Sequence, residues 1–147
     1  MEIEAPPRAG TAIAAGALAV LGGVWFLVGI FWATLVLGYD QMDLMVPGQI
    51  ADAVIGLLLL LGGVSLLARA EAGRVLCLVA GALALVAPMV DMAFRAQGLA
   101  VFVVGGPTGI NVLLPRAIAM AAPFVALLVL AALPATRRWT GRSAPVG

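Results

Sequence analysis

The chain alternates long apolar stretches with short polar ones, and the longest apolar stretch is the uncharged run from Thr11 to Leu37. At about 1.5 Å per residue, a helix over this run exceeds the roughly 30 Å of hydrocarbon in a bilayer. A secretory signal peptide would have a shorter apolar core after a positively charged lead-in. Here Glu2 and Glu4 offset Arg8. The run therefore predicts a membrane-spanning helix that stays in the mature protein.

Three further apolar stretches predict three more spans, so we expect an all-α integral membrane protein with one four-transmembrane-helix domain. The expected spans cover residues 11–37, 48–68, 75–94 and 116–134. The remaining segments are two outer loops, 38–47 and 95–115, and a flexible tail, 136–147. Pro47 suits the start of the second span, which puts Asp52 near a first turn where the helix dipole favours a carboxylate.

The loop before the fourth span is apolar but broken. Short branched runs, Val101 to Val104 and Ile110 to Leu114, flank the glycine-rich segment Gly105 to Gly109. This pattern is typical of a β-hairpin or a re-entrant loop. The glycine-rich segment lacks the lysine and the following hydroxyl residue of a phosphate-binding loop, so we expect no nucleotide site.

The arginines predict the orientation of the chain. With both termini and the second-to-third connection in the cytoplasm, six arginines lie inside and only Arg95 and Arg116 lie outside, as the positive-inside rule requires. The six inner arginines are Arg8, Arg69, Arg74, Arg137, Arg138 and Arg142. The last three, with Trp139, are typical of a basic anchor beside the membrane. All eight basic residues are arginines, and alanine and glycine are abundant. This composition favours a high-GC bacterial genome. We therefore expect the protein in a bacterial inner (plasma) membrane.

The first span has a side made of small residues. Gly16, Ala19 and Gly23 recur at spacings of three and four, and Gly56 and Gly63 give the second span a similar face. Such faces let two helix backbones approach closely. We therefore predict that these five residues pack helices together.

An aromatic stripe, defined by Trp25, Trp32 and Tyr39, lies roughly opposite those small residues. A seven-residue spacing drifts by only about 20° per heptad on a helix. Trp25 is too near the middle of the run to belong to an interfacial aromatic belt. The stripe faces either lipid or a partner protein. The apolar outer loop supplies three more candidate partner contacts: Phe102, Val104 and Ile110.

Composition narrows the possible chemistry. The chain is 64% hydrophobic and 10% charged, far from the range of soluble domains. The absence of histidine excludes histidine-ligated haem or metal and histidine acid–base catalysis. Cys77 is the only cysteine, so it forms no internal disulfide. A net charge of +1 without a basic tract gives no reason to expect nucleic acid as a partner.

Two groups of residues carry the remaining candidate chemistry. Asp52 and Asp91, with Arg95 and Arg116, form either an ion path or structural ion pairs near the outer interface. The two M-x-x-M patterns offer soft thioether ligands suited to Cu(I), but no histidine or second cysteine completes a site. We therefore expect no metal and no cofactor. The four methionines are Met42, Met45, Met89 and Met92.

A short sequence repeat is a further clue. AGALAV at Ala15 to Val20 and AGALAL at Ala80 to Leu85 lie 65 positions apart. The match fits either two parallel helix hairpins or chance in an alanine-rich chain.

Taken together, these features predict a non-catalytic accessory or scaffolding subunit of a larger bacterial membrane complex. Its expected partners are the lipid bilayer and a membrane protein, or further copies of itself. The alternative is a small oligomeric transporter or channel that uses Asp52 and Asp91. An enzyme would need acid–base residues that the chain does not assemble.

Overall fold

The fold is known from a computed structural model that describes residues 9–37, 42–95 and 110–141, and these residues are helical apart from short turns. The helices are α1 (Ala9–Leu37), α2 (Met42–Leu67), α3 (Glu71–Arg95), α4 (Ile110–Ala132) and α5 (Pro134–Thr140). Three of them, α1 to α3, are long and apolar enough to cross a membrane. The bent pair α4 and α5 makes a fourth if it is counted as one span. The all-α prediction is thus confirmed for the described ranges, and the length and apolar character of these helices fit the predicted membrane bundle.

All four long helices begin earlier than the sequence predicts, and α2 and α4 do so by six residues each. Helix α2 begins at Met42, so Pro47 lies inside it, in the second turn. There the proline removes one backbone hydrogen bond, and its ring crowds the carbonyl group four residues earlier. Helix α4 begins at Ile110, so the β-hairpin alternative is wrong for Ile110 to Leu114, while the re-entrant alternative stays a prediction. The periodicity of a short run of branched residues cannot by itself distinguish a strand from a helix. Here the run forms the first turns of the apolar helix α4. The remainder of that loop, 96–109, lies outside the described residues.

Pro134 separates α4 from α5 and sets the bend of 63° between them. A residue before proline avoids the helical region, and Leu133 accordingly has φ −58° and ψ 141°. Pro134 also has no N–H to donate to the carbonyl oxygen of Leu130, four residues earlier. The hydroxyl of Thr136 donates to that oxygen instead, at 2.7 Å. The side chain of Thr136 therefore replaces the missing backbone bond.

Helix α5 packs back onto the bundle, against α1, α3 and α4. It buries Thr136 and Thr140, so residues 136–140 are helical and partly buried instead of belonging to the flexible tail expected from the sequence. A seven-residue helix is marginal by itself in water. Tertiary packing, which the polar composition of this segment does not reveal, stabilises it.

The interior of the bundle follows the heptad pattern of a coiled coil, in which buried positions are separated alternately by four and three residues. In α2 these positions are Gly48, Asp52, Ile55, Leu59, Gly62 and Leu66. In α3 they are Gly73, Cys77, Ala80, Ala84, Ala87 and Asp91. Two aspartates therefore occupy core positions that are otherwise filled by apolar or small residues.

The first hairpin, α1 with α2, is closed by contacts between backbones at two levels. A methyl group placed on Gly63 would lie 2.8 Å from the carbonyl oxygen of Gly16. Seven residues later in α1 and seven residues earlier in the antiparallel α2, a methyl group on Gly23 would lie 2.7 Å from the carbonyl oxygen of Gly56. These distances are too short for a side chain, so glycine is required at these crossings. Ala19 is buried between the two levels.

The second hairpin, α3 with α4, has the same register. Gly81 faces Leu128, with a methyl group at Gly81 falling 3.1 Å from Leu128 Cδ2. Both positions are offset by 65 from Gly16 and Gly63, the same offset that separates the repeated AGALA segments. This shared register supports two hairpins of common design. At the other level, however, the equivalents of Gly23 and Gly56 are Pro88 and Ala121.

Candidate functional site

The outer side of α1 carries the aromatic stripe, of which Trp25 and Trp32 are described. Their side chains are 59% and 66% exposed. Phe31 beside them is also exposed; the sequence reasoning missed it because it breaks the seven-residue spacing. Tyr39, Phe102 and Val104 lie outside the described residues, as does the side chain of Ile110. The described part of the stripe contributes almost nothing to the core of the bundle.

Over the described side chains of α2 and α3, Phe94 near the end of α3 is the only exposed aromatic residue, so neither helix carries a comparable aromatic surface. The large exposed apolar residues of α2 are Val46, Ile50, Val54, Leu57, Leu61, Val64 and Leu67. Those of α3 up to Val86 are Val75, Val79, Leu83 and Val86. Aliphatic faces of this kind suit contact with lipid chains. The aromatic surface therefore distinguishes α1 from α2 and α3.

The depth of Trp25 makes it an unusual lipid-facing residue. It lies about three turns or more from either end of α1. Tryptophan in membrane proteins concentrates at the interface, where its ring is partly in lipid and its N–H reaches polar groups. The hydrocarbon interior offers no acceptor for that N–H. A partner side chain or backbone carbonyl would supply one.

A shallow apolar groove of about 680 Å³ runs along α4. Its lining is aliphatic throughout: Ile118, Ala121, Ala122, Val125, Ala126, Val129 and Leu130. Because it contains no titratable or nucleophilic side chain, this groove offers surface for packing and no acid–base chemistry.

Asp52 and Asp91 are buried, with exposures of 1% and 7%. A methyl group on Gly62 would lie 3.0 Å from the backbone nitrogen of Cys77, which fixes the antiparallel register of α2 and α3. In this register Asp52 lies level with Ala87 of α3. Asp91 follows Ala87 by one helical turn. The two carboxylates therefore lie inside the bundle at the same end.

Their burial changes the interpretation of Asp52. Because α2 begins at Met42, Asp52 lies well beyond the first turn, and the helix dipole does not account for it. The side chains of Arg95 and Arg116 lie outside the described residues, so the ion pairs expected with them stay predictions.

The methionine hypothesis gains no geometric support from Met89, the one member of the four whose side chain is described. Met89 is 75% exposed while Asp91 is buried, so the two do not share a face of α3. Within the described ranges no group of three or more histidine, cysteine, aspartate or glutamate side chains could hold a metal ion. Cys77 is fully buried against Gly62.

The opposite end of the bundle carries four described arginines and is called here the arginine end: Arg69, Arg74, Arg137 and Arg138. Arg69, in the turn between α2 and α3, has a left-handed φ of 64°. Its guanidinium carbon lies 4.0 Å from the centre of the Trp139 ring in α5. The sequence reasoning noted Trp139 but missed this contact, because no local pattern links residues 70 positions apart.

No protein-family model, curated protein or solved structure matches the chain.

Proposed function

We propose that this protein is a non-catalytic accessory or scaffolding subunit of a larger complex in the bacterial inner membrane. The observation that supports this most directly is the exposure of Trp25 and Trp32 on α1. In this proposal the aromatic stripe contacts a membrane-spanning helix of a different protein, while the small-residue side of α1 holds the bundle together.

Energetics favour a protein over lipid as the occupant of this face. Large aromatic side chains lose little conformational freedom when they are fixed, and tryptophan is enriched among the residues that dominate interface affinity. Against lipid tails, a tryptophan leaves its N–H without an acceptor. Small residues on a partner helix would accommodate the rings as knobs in holes.

The proposed topology has four spans, with both termini in the cytoplasm. The arginine end then faces the cytoplasm, as the positive-inside rule expects, and the carboxylates Asp52 and Asp91 lie near the outer interface. The segments 38–47 and 95–115 face outward in this arrangement, where the apolar outer loop would add to the contact with the partner.

Site-directed crosslinking in native membranes tests the partner contact. Phe31 is replaced by the photoreactive p-benzoylphenylalanine, and the control places the same group at Ile50, which is exposed at a similar depth on α2. We expect position 31 alone to give one dominant adduct with a different protein, identified by mass spectrometry. Adducts at both positions with many proteins would contradict the proposal, and so would an adduct formed only between two copies of this chain.

A small oligomeric transporter is the second candidate, supported by the burial of Asp52 and Asp91. Carboxylates inside a membrane bundle are costly and frequently line ion or proton paths. Purified protein in liposomes, with Asp52→Asn and Asp91→Asn as variants, distinguishes the two functions. An ion flux that both variants abolish without changing assembly would favour transport. No flux in the wild type would favour the subunit proposal.

A further inference from the structure

Proline interrupts the backbone hydrogen bonding of α4 at Pro123, in the middle of the helix. Pro123 has no N–H, so the carbonyl oxygen of Ala119, four residues earlier, lacks the backbone donor that a helix normally provides. Pro134 frees the oxygen of Leu130 in the same way, and there the hydroxyl of Thr136 replaces the missing bond. The two prolines therefore pose the same problem, and only the second is followed by a side chain that solves it.

The freed oxygen lies on the outer surface of the bundle, where both Ala119 and Pro123 are exposed. A carbonyl group without a donor is costly in lipid, and the side chains of residues 118–132 include no hydrogen-bond donor. Ala122 and Ala126, which line the groove along α4, leave this stretch of backbone uncovered by bulky side chains. A neighbouring helix can therefore approach closely enough to donate to the oxygen.

Pro123 lies on the side of α4 that borders α1. Leu128 faces α3 across the second hairpin, whereas Phe124 packs against Phe26 of α1 with ring centres 5.8 Å apart. Viewed down the helix, a turn of about 40° from Leu128 reaches Phe124, and a further turn of about 100° in the same direction reaches Pro123. The oxygen of Ala119 therefore lies at the outer edge of the contact between α4 and α1.

The tryptophans of the aromatic stripe border the same edge from α1. Gly23 meets α2, and Gly22 before it meets Phe124 of α4. Trp25 follows Gly22 by three residues, and Trp32 follows Trp25 by seven. Both rings therefore lie on the α4 side of the outer face of α1.

The oxygen of Ala119 also lies at the depth of these tryptophans. Helix α4 runs antiparallel to α1, because α5 after it returns to the turn between α2 and α3. The ring of Phe124 reaches both Gly22 and Phe26, and Ala119 lies five residues before Phe124, about 7 Å nearer the end of α1. This places it between the levels of the two tryptophans. The outer surface formed by Ala119, Pro123, Trp25 and Trp32 is called here the α1/α4 seam.

We propose that a spanning helix of the partner protein lies along the α1/α4 seam, and that a serine or threonine hydroxyl on this helix donates to the carbonyl oxygen of Ala119. The inference rests on the partner contact proposed for α1. A short uncharged donor suits a surface of small residues, whereas a cationic donor in lipid is costly. Helices α2, α3 and α4 carry one hydroxyl side chain, Ser65 near the end of α2, so a second copy of this chain could not place one at this depth through them.

Photocrosslinking in native membranes locates the partner helix. The group p-benzoylphenylalanine is placed at Ala126, which is exposed beside the seam. The control is Leu83, which is exposed on α3 at a similar depth, given that Gly81 faces Leu128. We expect position 126, but not position 83, to crosslink the same protein as position 31, within a spanning helix that contains serine or threonine.

The possible adducts separate this inference from the proposed function. An adduct at position 31 without one at position 126 would overturn the inference and leave the subunit proposal standing. No adduct with another protein at either position would overturn both. An adduct at position 126 between two copies only would overturn the inference and assign the seam to an oligomer of this chain.

Pro123→Ala tests the hydrogen bond, because alanine supplies the N–H that satisfies Ala119 within α4. We expect the thermal unfolding temperature to rise, since proline is unfavourable inside a helix. The yield of the position-31 adduct should nevertheless fall about fivefold, as for the loss of one hydrogen bond. Pro88→Ala is the matched control: it makes the same change in α3, where the freed oxygen belongs to the buried Ala84, and it should alter the yield by less than about twofold.

Replacing the crosslinked helix's hydroxyl residue by alanine completes a double-mutant cycle. This change should lower the adduct yield about fivefold with the wild-type chain and cause no further loss with Pro123→Ala. An unchanged yield for Pro123→Ala would overturn the hydrogen bond, and so would losses from the two changes that simply add. An equal loss from Pro88→Ala would overturn it in favour of a general effect of proline on the bundle.

Discussion

The two helix hairpins share one register but are closed in different ways. In the first hairpin, Gly63 meets the backbone of Gly16, and Gly23 meets the backbone of Gly56. In the second, the three atoms nearest to a methyl group on Gly81 all belong to the side chains of Leu128 and Leu127, and the next level carries Pro88 and Ala121. A backbone oxygen has nowhere to move, whereas a leucine side chain can change rotamer. A glycine at the same register position therefore matters more for the stability of the first hairpin than for that of the second.

This comparison shows that the two hairpins are held together by different kinds of contact. Close approach of two backbones maximises van der Waals contact, which together with hydrogen bonding drives helix association where lipid removes the hydrophobic advantage. The first hairpin has this contact at two levels. The second hairpin relies on side-chain packing and on the additional helix α5, and it carries Asp91 near the end opposite the arginine end.

Of the three substitutions that probe this comparison, Gly63→Ala should have the largest effect, because it forces a methyl group to within 2.8 Å of the carbonyl oxygen of Gly16. Separation of the two backbones should cost about 3 kcal/mol of unfolding free energy, at the upper end for overpacking. Denaturant titration in mixed micelles measures it. Gly10→Ala, a position with no atom close to the added methyl group, is the control and should be neutral or stabilising by up to about 1 kcal/mol. An unchanged stability for Gly63→Ala would mean that the first hairpin is not closed by its glycines.

A smaller loss is expected from Thr136→Val, which keeps the shape of the side chain but removes the hydroxyl that donates to the Leu130 oxygen. That oxygen lies opposite a proline and has no backbone donor to replace the hydroxyl, so the cost should be about 1–2 kcal/mol. The same titration measures it, and Thr136→Ser should restore most of the difference. If valine and serine are equivalent at this position, the bond does not hold α5 against α4.

The smallest loss is expected from Gly81→Ala, the counterpart of the first substitution in the second hairpin. Rotation of the Leu128 side chain relieves the 3.1 Å contact, and alanine's better helix propensity offsets part of the remaining strain. We expect a change below about 1 kcal/mol. A loss equal to that of Gly63→Ala would show that the two hairpins are closed alike.

Most of the fold could be predicted from local pattern. Apolar runs indicated the helices because backbone groups in lipid must bond within their own segment, and the glycine spacing indicated the side of α1 that meets α2. The helix ends were less predictable, since Pro47 is tolerated inside α2 and the branched residues after Ile110 suit either helix or strand. The burial of Asp52 was missed for the same reason, because it depends on where α2 begins.

The candidate sites also differ in how far they could be predicted from the sequence. The exposed tryptophans of α1 could be predicted from their spacing and from the small residues opposite them. The arginine end could be predicted only as an excess of charge, because the stacking of Arg69 on Trp139 depends on the bend at Pro134 and on packing between distant segments. Contacts of this kind become visible only in three dimensions.

The double variant Trp25→Leu/Trp32→Leu tests the proposed function most directly. The protein is purified from its native membrane in mild detergent, and the co-purifying protein identified by crosslinking is quantified. Leu57→Val/Leu61→Val on the aliphatic face of α2 is the control. We expect the stability of the bundle to be unchanged and the amount of partner to fall about tenfold or more, as for loss of tryptophan hot spots, with no change in the control. An undiminished partner in the tryptophan variant would contradict the account.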